Sequence, residues 1–292
     1  MKFGLFVSGG LGLEVMKQLF THYQPAFVAT DSGSTGIIDF AEQCNLPLFK
    51  GNPRKGKLMT FLGDQRFELG LSVNYLFLLE QNILDRFDVA VNFHGSLLPR
   101  YRGRTPHVWA IINNEIETGI TAHLIEEGCD TGPVILQKRV PILKDDTGAD
   151  ILKKYESLYP GMVLQLMQMA ENGEMHTTPQ DESQASYFGK RTPDDGGINW
   201  NWDMERIRNW VRAQAYPYPG AFTFCEGQKV IIDKVVPVLT GNNSDESSNG
   251  TILYINEQNK PVVKVSDGCL ILEQIRNVDL HFKPLTILHD SN

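Results

Sequence analysis

The chain has 292 residues, with 27 Lys and Arg against 35 Asp and Glu and a formal net charge of −8. That length holds one large domain or two ordinary ones, and 41% hydrophobic with 21% charged residues describes a chain with a core rather than a disordered one. No apolar run reaches the ~18–20 residues of a membrane span, and the acidic balance argues against a partner held through nucleic-acid phosphates, which needs clustered cations. The opening MKFGLFVSGG reaches glycine too early for a signal peptide. Cys44, Cys129, Cys225 and Cys269 lie far apart with no CxxC pair. Neither a disulfide framework nor a structural zinc site is expected, and a reducing cytoplasm fits.

The first half alternates strand-like and helix-like segments. Lys2–Val7 reads as a strand running into Ser8-Gly9-Gly10-Leu11-Gly12, a tight turn before a helix over Leu13–Phe20. The Gly-rich turn is not a phosphate loop, since no Gly-Lys-Ser/Thr follows, and it lacks the full Gly-x-Gly-x-x-Gly spacing. Phe27–Thr30, Leu69–Tyr75 and Val89–Phe93 are further strands, and Thr35–Asn45 is a helix. Thr105 is expected to cap a helix from Pro106 to about Asn113. Gly119–Ile125 and Pro133–Val140 read as strands, and Ala149–Ala170 as a long helix that Pro160-Gly161 kinks or divides. This rhythm implies a Rossmann-like, mostly parallel α/β sheet with its ligand crevice beyond the carboxyl ends of the strands.

Thr177–Gly197 is polar and rich in breakers, and reads as a linker. We therefore divide the chain into a domain over residues 1–185 and a C-terminal segment over 186–292 with a helix (Met204–Arg212) and a smaller β-rich body. Ala221–Val238 reads as a hairpin turning at Glu226-Gly227, Thr240–Gly250 as a mobile loop, and Thr251–Ile255, Val262–Val265 and Leu270–Ile275 as short strands. No internal repeat is evident.

The chemistry concentrates between Val91 and Gly132. Asn92 and His94 stand at i and i+2 at the end of a strand, so their side chains point the same way, into the crevice. Asp130 lies in the loop after another strand. An amide donor, an imidazole and a carboxylate converging there suit acyl transfer to an amine. Taken singly, each residue is explained as well by strand capping, a satisfied histidine or a turn. The spaced set is more specific.

Asn92-Phe93-His94-Gly95-Ser96-Leu97-Leu98-Pro99, then Tyr101-Arg102-Gly103 and Asp130-Thr131-Gly132, resembles the signature of the folate-dependent formyltransferases. The resemblance spans Met1–Gly173 and resumes at Lys190–Asp195, Ile198–Trp200 and Pro217–Phe222. It implies the formyltransferase fold, 10-formyltetrahydrofolate as cosubstrate, no metal, and Asn92, His94 and Asp130 as the catalytic set. It further implies that Tyr75, Leu76, Phe77 and Leu78, with Ser96 and Asp130, serve the cofactor side. Asn92 and His94 are expected to donate to the developing oxyanion, and His94 or a water held by Asp130 to take the proton of the amine.

Members of this family differ in acceptor. Methionyl-tRNA formyltransferases typically open with Phe-Ala-Gly-Thr-Pro, carry a basic loop after the second strand and have a basic C-terminal domain. This chain has Phe6-Val7-Ser8-Gly9-Gly10, no Lys or Arg from His22 to Phe49, and nine Lys and Arg against eleven Asp and Glu from Trp200 onward. Arg102–Trp109 and Lys190–Asp195 look most like the nucleotide-sugar branch. The resemblance thus implies an N-formyltransferase acting on a dTDP-4-amino-4,6-dideoxyhexose for O-antigen or other surface polysaccharide. Methionyl-tRNA formylation is the alternative, and a non-catalytic nucleotide-sugar-binding homologue the second. Gly9, Arg102, Arg104, Lys190, Arg191, Tyr218 and Phe222 are the substrate-side candidates: cations for a diphosphate, aromatic rings for thymine. His107, Trp109 and His123 are assigned to structure or the rim. No nucleic acid or membrane partner is expected, and a homodimer is the base-rate assembly.

Overall fold

The computed structural model describes residues 1–238, 246–276 and 280–289. The chain divides into two compact units. One comprises Met1–Gly103, Gly119–Val140 and Lys153–Tyr187; the other comprises Arg104–Thr118, Pro141–Leu152 and Phe188–Asn292.

The first unit is built on a seven-stranded sheet of order β3-β2-β1-β4-β5-β7-β8, where β1 is Phe3–Val7, β2 Phe27–Thr30, β3 Leu48–Lys50, β4 Phe67–Val73, β5 Phe87–His94, β7 Glu117–Leu124 and β8 Val134–Pro141. The strands from β3 through β5 are parallel, and β7 joins β5 antiparallel. All five residues of β1 are buried, as expected of a strand covered on both faces. Beneath it the rings of Phe6, Phe27, Phe49, Phe67 and Phe87 cluster, with Phe6 edge-on to Phe27 at 5.5 Å between centroids and Phe67 stacked on Phe87. The chain runs outward from β1 to β3 and returns at β4. The switch point therefore falls between β1 and β4, where a crevice opens beyond the strand ends. There the Asn74 amide donates to the Ser8 carbonyl at 2.9 Å.

The helices α1 (Gly9–Phe20), α2 (Thr35–Gln43), α3 (Lys57–Leu62) and α4 (Gln81–Leu84) connect these strands. The helix α6 runs unbroken over Gly148–Asn172 with Pro160 inside it. The sequence leads one to expect a kink or a division there, and the helix is not divided. Tyr155, Tyr159, Val163 and Leu166 recur at i, i+4, i+8 and i+11 and are all buried, so packing of that face holds the helix through the proline.

The second unit carries α5 (Pro106–Ile112), α7 (Met204–Ala213) and an antiparallel five-stranded sheet of order β10-β11-β14-β13-β12. Its strands are β10 (Ala221–Cys225), β11 (Gln228–Val238), β12 (Ile252–Ile255), β13 (Pro261–Val265) and β14 (Gly268–Arg276). Cys225 pairs with Gln228 across Glu226 and Gly227, both at positive φ (49° and 78°), the geometry of a two-residue hairpin turn. Helix α7 begins at Asp203, whose carboxylate accepts the Arg206 N–H at 2.7 Å. Its Ile207 and Val211 enter a core with Trp200, Ile232 and Leu272. Thr105 stands at the N-cap of α5 ahead of Pro106 as expected, but at φ 49° its buried hydroxyl makes no capping bond. Most of the loop expected at Thr240–Gly250 lies outside the described residues.

Short strands β6 (Arg102–Gly103) and β9 (Tyr187–Phe188) pair as a separate ribbon. Among the described residues no disulfide joins the four cysteines, no group of His, Cys, Asp or Glu is arranged to hold a metal, and no helix is long and apolar enough to cross a membrane.

Candidate active site

The end of β5 carries the site. Ser72 on β4, Asn92 on β5 and His123 on β7 are register partners, so three polar side chains form one row across adjacent strands. The Ser72 hydroxyl donates to Asn92 Oδ1 at 2.8 Å, which turns the amide nitrogen the other way. There Asn92 Nδ2 lies 3.2 Å from His123 Nε2 and 3.5 Å from Asp130 Oδ1.

The two imidazoles are fixed by backbone carbonyls, which only accept. His94 Nε2 is 2.8 Å from the Tyr101 carbonyl, so that nitrogen carries hydrogen. His94 Nδ1 then faces Asp130 Oδ2 at 3.6 Å. His123 Nδ1 is 2.7 Å from the Leu124 carbonyl, so that nitrogen carries hydrogen and Nε2 is turned to Asn92 Nδ2. His123, assigned from sequence to structure or the rim, is buried within the cluster at 3.5 Å from Asp130 Oδ1. Only the strand register brings it there.

Asp130 sits at φ 57°. Its Oδ2 accepts the Gly103 N–H at 2.9 Å, and Gly103 at φ 101° is a position that requires glycine. A Cβ at Gly132 would stand 1.9 Å from the Leu124 carbonyl oxygen, so the loop closes onto β7 only with glycine there. Burial opposes the Asp130 charge. The flanking imidazoles of His123 and His94 and the Gly103 N–H outweigh it and hold the carboxyl well below the usual carboxylate range. Burial pushes His94 down, against the opposing pull of Asp130 and of the Tyr101 carbonyl. The cluster is therefore a neutral imidazole with a free Nδ1 beside a carboxylate.

The remaining sequence candidates separate into exposed and enclosed groups. The loop after β4 leaves Leu76 and Leu78 47% and 60% exposed beside Tyr75, whose ring packs 5.5 Å from both Phe6 and Phe77. Ser96 is buried and donates to the Arg100 carbonyl at 2.7 Å, closing a turn that contains the cis Leu98–Pro99 bond. Gly9 opens α1 at φ 66°, and its N–H donates to Ser34 Oγ at 2.8 Å.

Arg102 is fully buried. Its five N–H donors go to Gln180, Glu182 and Tyr187, leaving none for a phosphate. In the second unit, Arg104 is exposed and its backbone N–H donates to the Phe188 carbonyl at 3.0 Å. Lys190 is exposed. Arg191 lies over Trp210 and Trp109 at 4.2 and 5.1 Å and donates to the Asp195 carbonyl and Gln214. The Tyr218 hydroxyl is 2.9 Å from His107 Nε2. Phe222 is buried in β10 against Phe224, with the Lys229 ammonium 3.6 Å above its ring. The geometry thus turns Arg102, Arg191 and Phe222 inward.

Residues 40–165 match the family model for formyl transferase, and residues 190–279 match that for the formyl transferase C-terminal domain. Among solved structures the chain is similar to WlaRD, a sugar 3N-formyl transferase crystallised in the presence of dTDP and 5-N-formyl-THF. Identity is 22% and TM-score 0.73, over 95% of this chain and 98% of that one. An N-formyltransferase from Helicobacter canadensis, in complex with folinic acid and dTDP-3-aminofucose, is similar at 21% identity and TM-score 0.71, over 94% of this chain and 99% of that one. A methionyl-tRNA formyltransferase from Clostridium thermocellum is similar at 15% identity and TM-score 0.58, over 84% and 96%. At these identities the likenesses establish a shared architecture, and the two family matches between them cover most of the chain. With the expected motif standing at the end of β5, the chain belongs to the formyl transferase family.

Proposed function

We propose that this enzyme transfers a formyl group from 10-formyltetrahydrofolate to the amino group of a dTDP-linked aminodeoxyhexose. The observation that carries the reaction is the cluster of Asn92, His94 and Asp130, with the His94 proton pinned on Nε2 and Nδ1 turned to Asp130. The exposed Leu76 and Leu78 offer an apolar wall for a flat pterin, and the unpartnered Tyr75 hydroxyl a polar contact at its edge. When bound, the cosubstrate supplies the formyl carbon as electrophile.

The chain's own residues divide the work. His94 Nδ1 accepts the proton released by the attacking amine and would return it to the donor nitrogen as that nitrogen's bond to the formyl carbon breaks; in between, the imidazolium is stabilised by Asp130 on one side and the Tyr101 carbonyl on the other. One Asn92 Nδ2 hydrogen is held by His123. The second spans a long 3.5 Å to Asp130 and is the donor for the oxygen that gains charge. The sequence expectation had His94 share that donation. Its one N–H is committed to Tyr101, which leaves the duty to Asn92.

For the acceptor, the segment from His22 to Phe49 carries no Lys or Arg, so it lacks the phosphate-binding charge that dominates affinity for tRNA. Two neighbours in fold were crystallised with dTDP or a dTDP-aminosugar, which supports the same acceptor class. The test is release of tetrahydrofolate from 10-formyltetrahydrofolate with dTDP-, UDP- and GDP-amino sugars and with methionyl-tRNA. The 3-amino and 4-amino dTDP isomers run side by side. We expect turnover with a dTDP-amino sugar at least tenfold above methionyl-tRNA. Preference for the tRNA would overturn the acceptor, and no release with any amine would overturn the reaction.

A further inference from the structure

The stretch following α6 reads in sequence as a linker, yet it is stitched to both flanks of the site. Thr178 and Val134 exchange backbone hydrogen bonds of 2.8 Å each. The Gln180 amide donates to the carbonyls of Asp130 and Gly132 at 2.8 and 2.7 Å. Its Oε1 accepts from Arg102 Nη2 and Nε at 2.7 and 3.1 Å. Glu182 holds the same guanidinium at 2.6 and 2.9 Å. Ser186 accepts the Arg102 N–H on its carbonyl at 2.8 Å and the Tyr101 N–H on its hydroxyl at 2.9 Å.

Both residues pinned in this way have a strained backbone. Asp130 and Tyr101 have φ of 57° and 61°, in the left-handed region, where a side chain persists only if its surroundings over-determine it. Asp130 carries the carboxylate, and Tyr101 carries the carbonyl that holds His94. Gln180 also joins the two loops, because one amide group touches the Asp130 backbone with its nitrogen and Arg102, next to Tyr101, with its oxygen.

We propose that residues 178–187 form a positioning strap for the catalytic cluster, in which Gln180 sets the direction of the Asp130 carboxylate and Ser186 sets the Tyr101 carbonyl that orients His94. This rests on the reading of Asp130 and His94 given above. None of the strap residues touches the reacting atoms. Their effect reaches catalysis through geometry, where a displacement of about 1 Å costs on the order of a hundredfold in rate.

The experiment uses the full chain and compares Gln180→Met, Ser186→Ala, Asp130→Asn and the Gln180→Met/Asp130→Asn double variant, with the dTDP-amino sugar turned over best. Gln180→Met is expected to lower kcat about 10–100-fold with KM within about twofold, and Ser186→Ala about 3–10-fold. In the Asp130→Asn background, Gln180→Met is expected to lower kcat by less than about twofold, because the group it positions is already gone. The His94 ring titration, followed by NMR without any substrate, is expected to move in Gln180→Met in the direction it moves in Asp130→Asn. An equal loss in both backgrounds would mean a merely structural role and would overturn the proposal. So would wild-type kcat in folded Gln180→Met, or in Ser186→Ala should the first variant not fold. An impaired Asp130→Asn beside an intact Gln180→Met sinks the strap and spares the catalytic reading. A fully active Asp130→Asn sinks both.

Discussion

Two histidines, one in each unit, show how neighbours decide what an imidazole does. His94 stands 3.6 Å from the Asp130 carboxylate with its Nε2 proton held by a carbonyl. His107, in the second unit, meets the Tyr218 hydroxyl at 2.9 Å, and its pKa is pushed down to about 4 by burial alone. Both rings are neutral near pH 7. The carboxylate 3.6 Å from His94 offsets the cation that ring would become, which suits it to receive a proton and give it back. His107 is equipped to stay neutral and hold Tyr218.

The largest expected effect tests the His94 side. His94→Ala and Asp130→Ala should each lower turnover by on the order of a thousandfold, with both folds intact by circular dichroism. Asn92→Ala should fall in the same range through loss of the oxyanion donor. A His94→Ala enzyme within tenfold of wild type would erase the distinction drawn here, because His94 would then be a satisfied ring like His107.

Much of this site was legible in the sequence because the determining distances are short. Asn92 and His94 share a face by the two-residue period of a strand, and the loop glycines around Asp130 announce a turn. The parallel sheet and the β10–β11 hairpin follow from local periodicity and from Glu226-Gly227. Other features depend on contacts that no local pattern carries. His123 reaches Asn92 only through the β5–β7 register. Gln180 lies 50 residues from Asp130 in a polar stretch whose breakers read as a linker. Arg102 and Arg191 announce positive charge in sequence but not what neutralises it, and the structure engages them with a carboxylate and with two indoles respectively. Local rules went too far where they allowed a division of α6 at Pro160 and a side-chain cap from Thr105, which stands at the N-cap of α5 without making that bond.

A smaller effect separates the enzyme's own proton acceptor from the substrate amine. Burial holds His94 below its ordinary value, and the Asp130 charge opposes that fall. The kcat/KM profile should therefore rise through an acid limb below about pH 6.5. In Asp130→Asn, residual activity should show that limb displaced to still lower pH, since the charge favouring imidazolium is gone. A limb set by the free amine would stay where it was, and an unmoved limb would remove His94 as the acceptor.

The smallest effect lies on the His107 side and is read as stability. The folded pKa of about 4 is below the unfolded value near 6.5, so the unfolded chain binds the extra proton first as pH falls. The contribution of the neutral ring is complete above about pH 6.5 and is lost as pH falls toward 4. That loss is on the order of 2 kcal/mol, below the full conversion of the shift because the ring is not wholly shielded from solvent. All four tryptophans (Trp109, Trp200, Trp202 and Trp210) belong to the second unit, so their fluorescence follows the unit that contains His107 and not the one that contains His94. Urea midpoints read by tryptophan emission should fall between pH 7.5 and 4.5 in the wild-type chain. They should fall less in His107→Asn, which accepts the same hydroxyl without titrating. An equal fall in both chains would assign the acid sensitivity of this unit to other groups and leave His107 without the role its burial implies.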